Sequence, residues 1–201
     1  MKNKFLIFFF LIFKFSTLYS QIITDRLSET DSPYVIETRH IQVEVGVSLE
    51  EIQSRINSLV RIGILNGVEL RINSNYIIND EISFQNKSSF GDFELGSKFT
   101  ILDKDNVNTN ISFLTYLSIP TAQEVFSNNE YGFLNKLLVS HNLTSDSQVG
   151  YNIGYNKFTN YDGLYVYSLL YSKKLSSFSI FFELFGNSNS HISNSYFDSG
   201  I

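Results

Sequence analysis

Cysteine and tryptophan are absent from the sequence, methionine occurs once and proline twice. Without cysteine there is no disulfide, no thiolate metal site, no thiol nucleophile and no lipid-modified N-terminal cysteine. Long apolar runs are scarce too. The longest, Phe5 to Phe13, spans nine residues, whereas a membrane-spanning helix needs about 20. Basic residues are few: 15 Lys and Arg stand against 20 Asp and Glu, a formal charge of -5. A phosphate backbone needs the opposite balance, so no nucleic-acid partner is expected.

What is present begins with Lys2 and Lys4, then the apolar run, then a more polar stretch ending Leu18-Tyr19-Ser20. That order is the layout of a secretory signal peptide, and cleavage is expected near Ser20/Gln21. Removing residues 1–20 takes away three lysines and no acid, so the formal charge of -5 becomes -8. The remainder is long enough for one domain, and no shift in composition marks a second. The full sequence holds 19 Phe and 12 Tyr with many Asn and Ser, a mix that suits alternating strands joined by polar loops. The expected division is a leader over 1–20, an N-terminal periplasmic tether or plug segment over 21–36 and a β-domain over 37–201.

From Glu37 onward the apolar residues recur with period two, as in strands with one apolar and one polar face. Ile41, Val43, Val45 and Val47 share one parity against Gln42, Glu44 and Gly46. The same alternation marks strands near 55–65, 68–76, 91–102, 107–119, 134–143, 148–158, 163–174 and 177–185, with a tenth starting near Tyr196. Asn66-Gly67 between the second and third predicts a type I′ hairpin, which requires positive φ at both residues. These segments run to roughly ten residues, the length of a tilted strand crossing a bilayer, where strands of soluble sheets average about five or six. Connections alternate in length. Short ones near 66–67, 103–106, 144–147 and 175–177 face longer or more modest ones near 48–54, 79–90, 120–133, 159–162 and 186–195. Outer-membrane barrels keep short turns in the periplasm and long loops outside, which would set the mature N-terminus in the periplasm. Tyr76, Phe93, Phe99, Tyr155 and Phe178 sit where interfacial girdles would lie, or belong to an ordinary sheet core. The expected fold class is all-β: an antiparallel up-and-down transmembrane β-barrel of about nine to ten strands.

Several segments resemble an exported outer-membrane family named for the MetA pathway of phenol degradation, whose members are often called transporters. They are the 24–33 segment TDRLSETDSP, the hairpin RIGILNGVELR at 61–71, GDFELGSK at 91–98, LSIPT at 117–121 and GYNIGY at 150–155. The likeness covers nearly all of residues 24–200 and implies a barrel with no particular cargo. Leu27 stands where similar proteins usually carry proline. Similar proteins also continue past Ile201 through further strands to an aromatic terminus, so the barrel is expected to be incomplete as given, because an open edge in lipid leaves backbone groups unsatisfied.

The polar parity of the first four strands gathers the candidate lumen-lining residues Glu44, Arg55, Arg61, Glu69, Arg71, Asp92, Glu94 and Lys98. Facing inward they would set a weak solute preference. Alternatively they pair across strands and fill a narrow barrel without conducting. His191-Ile192-Ser193 offers a base and a nucleophile two residues apart but lies in an Asn/Ser-rich stretch that reads as a loop, and His40, His141 and His191 form no metal-ligand spacing. No catalytic residue, metal or cofactor is expected. Function is expected to be a passive channel or transporter-like barrel in the bacterial outer membrane. The alternatives are a non-conducting structural or surface-interaction barrel and, last, a lipid-modifying enzyme. Expected partners are outer-membrane lipid, the secretion and barrel-assembly machinery, and a small solute.

Overall fold

The structure is a computed structural model that describes residues 29–49, 53–79, 88–103 and 108–201. The leader expected over 1–20 and the first residues of the tether or plug segment lie outside the described residues. Eleven strands are described: β1 Ile41–Leu49, β2 Gln53–Leu65, β3 Val68–Asn79, β4 Ser88–Phe90, β5 Phe93–Leu102, β6 Thr109–Ile119, β7 Gly132–Asn142, β8 Ser147–Phe158, β9 Leu164–Leu175, β10 Phe178–Ser188 and β11 Ser193–Gly200. The one described helix is a single 3₁₀ turn, Glu124–Phe126. All the strands form one antiparallel sheet in sequence order, with the short β4 paired to β3 beside the path. No pairing joins β1 to β11, so the sheet is an open meander.

The strand count exceeds the expected nine to ten because β4, only three residues long, is too short to show a period. The expected type I′ turn at Asn66-Gly67 is also corrected. Only Gly67 has a positive φ, 75°, while Asn66 does not. A turn of the other hand splays its strands, and a register irregularity between Gly63 and Leu65 sits directly beside it. A second glycine is required nearby by close approach. A Cβ on Gly63 would lie 2.0 Å from the Glu37 carbonyl oxygen, because the chain turns there into β1, bonding Arg39 N to Gly63 O and Gly63 N to His40 O.

The two faces of the sheet are inverted relative to a soluble protein. The apolar parity is exposed: Val43 is 62% exposed, Ile153 61% and Leu169 49%. The polar parity is buried, with Glu44, Arg61, Glu69, Arg71, Lys98, Ser112, Ser140, Asn152, Ser168 and Glu183 all in the interior. Leu59, Leu114 and Leu138 are the main apolar groups among them.

What covers the polar face is the sheet's own curl. Tyr34 O accepts from Arg61 of β2, and Thr30, four residues earlier, bonds Glu183 of β10. Those strands are seven pairing steps apart along the sheet, about 34 Å if flat at roughly 4.8 Å per step. Four residues of chain reach only about 14 Å. Even with two long side chains added, the sheet must wrap around residues 29–36, placing its polar face on the concave side.

Candidate functional site

The concave face holds one ionic network. Arg61 on β2 is the centre: its Nε and Nη2 donate to the two oxygens of Glu69 at 3.0 and 2.9 Å. Its Nη1 donates to Glu44 Oε1 at 3.2 Å. The fork shape of the guanidinium makes this two-point grip on a carboxylate possible. Antiparallel pairing sets it up, since Arg61 lies opposite Arg71 on one side and Gln42 on the other, while Gly63 faces Glu69. Arg71 Nη1 and Lys98 Nζ reach the same Glu69 carboxylate at 3.6 and 3.9 Å. The Arg71 guanidinium also lies 5.6 Å above the Tyr116 ring. All five charged groups are buried.

Five of the candidate residues, Glu44, Arg61, Glu69, Arg71 and Lys98, are thus brought together. Glu94 lies on the same face and accepts from Asn73 Nδ2 at 2.6 Å. Arg55 is exposed and lines a polar cavity of about 510 Å³ with Arg71, Glu94 and Asn73.

Asp92 does something else. It precedes β5, and its carboxylate accepts from Thr121 N, Ala122 N and Asn128 N at 3.0, 3.1 and 2.8 Å and from Ser127 Oγ at 2.8 Å. It therefore organises the loop 120–131. Asp92→Ala should cost roughly 1–3 kcal/mol through the amides it orphans. The expected readout is faster hydrogen exchange and proteolysis confined to that loop, with the charged network undisturbed. Unchanged protection there would contradict the role.

Residues 29–36 complete the site. Glu29 N and Thr30 N donate to the Glu183 carboxylate at 2.9 and 2.6 Å, while the Thr30 hydroxyl bonds both Glu183 and Ser168. Asp31 Oδ2 accepts from Lys136 Nζ at 2.8 Å, and its Oδ1 lies 3.6 Å from Arg71 Nη2. Lys98 Nζ donates to the carbonyls of Ser32 and Tyr34 at 2.7 and 3.3 Å. Ser112 Oγ donates to Pro33 O. The Tyr34 hydroxyl is met by Asn110 and Gln148 at 3.0 and 3.3 Å, and Ile36 N donates to Glu69 Oε2 at 2.9 Å. The segment lies between two cavities. Glu29 and Asp31 line the one of about 510 Å³ on the side of the longer loops. Thr30 to Tyr34 line another, of about 390 Å³, beside the short turn that joins β7 to β8.

Asp31, Lys136 and Glu183 also belong to this arrangement, outside the eight candidate residues. Glu183 has a local signal, a lone carboxylate inside the apolar run FSIFFELF. Lys136 shares the inward parity of β7, opposite to the exposed Leu137, but nothing local pairs it with Asp31, 105 residues away in the chain. His191 Nε2 faces Asp162 Oδ2 at 3.3 Å across two exposed loops. Among the described residues no group of three His, Asp or Glu is placed to hold a metal ion. No described helix is long and apolar enough to cross a membrane.

Fold and site define an antiparallel β-meander with an apolar outer face and a charged inner face occupied by its own N-terminal segment. The chain belongs to the family described as "Putative MetA-pathway of phenol degradation", which it matches over residues 24–195. No curated protein and no solved structure matches it significantly.

Proposed function

We propose that the protein is an outer-membrane β-barrel wall serving as a passive channel for small polar solutes, exported by a cleaved leader and doing no chemistry of its own. The observation that carries this is the inverted polarity of the sheet. An exposed apolar face over a buried charged one is costly in water, whereas it is the arrangement a strand needs between lipid and lumen. Aromatic side chains add to it. Phe93, Phe133, Tyr155 and Tyr165 stand exposed toward the longer loops, and Phe99, Tyr171 and Phe178 toward the short turns, as two interfacial girdles would. The loop rhythm then sets residues 29–36 at the periplasmic entry. Closure of the edges β1 and β11 belongs to this reading, because unpaired backbone groups are costly in hydrocarbon. The family's description names a degradation pathway for phenol, and the cargo class rests on the charged wall alone.

A second reading is favoured by the filled interior: a non-conducting barrel that acts through its loops 80–92 and 120–131. One experiment separates the two. Full-length protein is placed in liposomes alongside a variant carrying Thr30→Cys and Ser168→Cys, whose hydroxyls lie 2.8 Å apart. The wild-type chain has no cysteine, so this pair alone forms the bond. Solute flux that is low when the pair is oxidised and rises on reduction, above empty liposomes, supports the channel. No flux from the wild type or from either state of the variant sinks it and leaves the loop reading.

A further inference from the structure

Every cation of the central wall takes an oxygen from the N-terminal segment. Lys136 and Arg71 take the Asp31 carboxylate, Lys98 takes the carbonyls of Ser32 and Tyr34, and Arg61 takes the carbonyl of Tyr34. The segment's ends behave in the opposite way, giving their N–H groups to Glu183 and Glu69. Its middle is therefore an anion-like strip laid across four positive groups, with one full negative charge at Asp31. The wall behind that strip has Glu44, Glu69 and Glu183 against Arg61, Arg71, Lys98 and Lys136, an excess of one positive charge that Asp31 offsets.

The surroundings of Asp31 also fit an organic ligand. The cavity of about 510 Å³ opens onto Asp31, Arg71 and Lys136, and Tyr116, Leu114 and Leu134 line the same space. A guanidinium over an aromatic ring, an ammonium and apolar side chains together suit a carboxylate with a small hydrocarbon body. Glu29, Glu94 and Asp198 line the cavity as well. Any anion preference is thus set locally by the Arg71 and Lys136 pair and not by the cavity as a whole.

We propose that Arg71 and Lys136 form a lumenal binding point for the carboxylate of a small organic anion, and that Asp31 occupies it as a built-in competitor. This rests on the channel reading. When the segment withdraws, the solute's carboxylate replaces that of Asp31 on the two cations, with no covalent step.

The probe is acetate, with chloride at equal ionic strength and glucose as controls. In Asp31→Asn the competitor loses its charge with little change of shape. Its thermal unfolding midpoint in detergent should rise with acetate and not with chloride or glucose, since a ligand that binds only the folded state stabilises it by mass action. The wild-type midpoint should respond several-fold less. Adding Lys136→Gln should abolish the acetate response. In liposomes Asp31→Asn should raise acetate flux several-fold more than it raises glucose flux. An acetate response no larger than that to chloride overturns the site. So does a rise in acetate and glucose flux alike, which would make Asp31 a latch and leave the channel standing. An acetate-specific midpoint shift without flux in any variant would keep the binding point and remove the channel.

Discussion

Replacing Arg61 by alanine is expected to destabilise the protein by about 3 kcal/mol or more, within the roughly 3–5 kcal/mol that follows when one partner of a buried ion pair is removed. Arg61 is 1% exposed and donates hydrogen bonds to Glu69, Glu44 and Tyr34. Its loss leaves two buried carboxylates, Glu44 on β1 and Glu69 on β3, facing one another across β2. The lower end of the range is expected because compensation is partial. Arg71 and Lys98 stand 3.6 and 3.9 Å from Glu69, and Gln42 donates to Glu44 at 2.9 Å. Urea unfolding in lipid or detergent gives the number. The diagnostic is the comparison with a triple change, Arg61→Met with Glu44→Gln and Glu69→Gln. Removing these three charges together should cost less than removing Arg61 alone, because the penalty comes from uncompensated carboxylates, while Arg71 keeps Asp31 and Lys98 keeps the carbonyls of Ser32 and Tyr34. If the triple variant is the less stable, the network contributes through attraction after all.

The second large effect is expected on the opposite face. Ile153 lies near the middle of β8 and is 61% exposed. Ile153→Arg should cost about 2–4 kcal/mol when the protein is folded in a bilayer, the range for an arginine at the midplane of a barrel's lipid face. Tyr165 begins β9 near the longer loops and is equally exposed at 62%. Tyr165→Arg should cost only about 0–1 kcal/mol, since charges are tolerated at the interface. The contrast, not either value alone, tests the orientation. Two exposed positions on a water-facing sheet would both tolerate arginine, and equal small costs would sink the lipid-facing assignment.

Strands were legible because alternation is a local property. The predicted segment 148–158 and the observed β8, Ser147–Phe158, differ by a single residue. Parity also sorted Glu44, Arg61, Glu69, Arg71 and Lys98 onto one face, since a two-residue hairpin and strict pairing carry one strand's parity to the next. Asp92 was grouped with them because the alternation continues past the strand's start, although β5 begins only at Phe93. The hand of the Asn66-Gly67 turn was not legible, as it depends on how the neighbouring register accommodates the 37–40 bend. Nor was the role of residues 29–36. A polar stretch without periodicity reads as a tether or a plug, and only the curl of the whole sheet shows what surrounds it. The family match over 24–195 agrees with the resemblance carried by 61–71, 91–98 and 150–155.

The path of residues 29–36 bears on assembly. Thr30 finds Glu183 across 153 residues of chain, and Glu29 across 154. Such pairings come late, because the entropy of closing so long a loop must be met before the contact offers any return. The segment cannot hold Glu183 until β10 has been laid beside β9. Until then the positive groups it later covers would remain hydrated and open to small anions in the surrounding water. The earliest described part of the chain is in this way the last to be fastened, and, if the protein is the channel proposed above, a freshly inserted molecule would pass through a leaky stage that ends when Thr30 reaches β10.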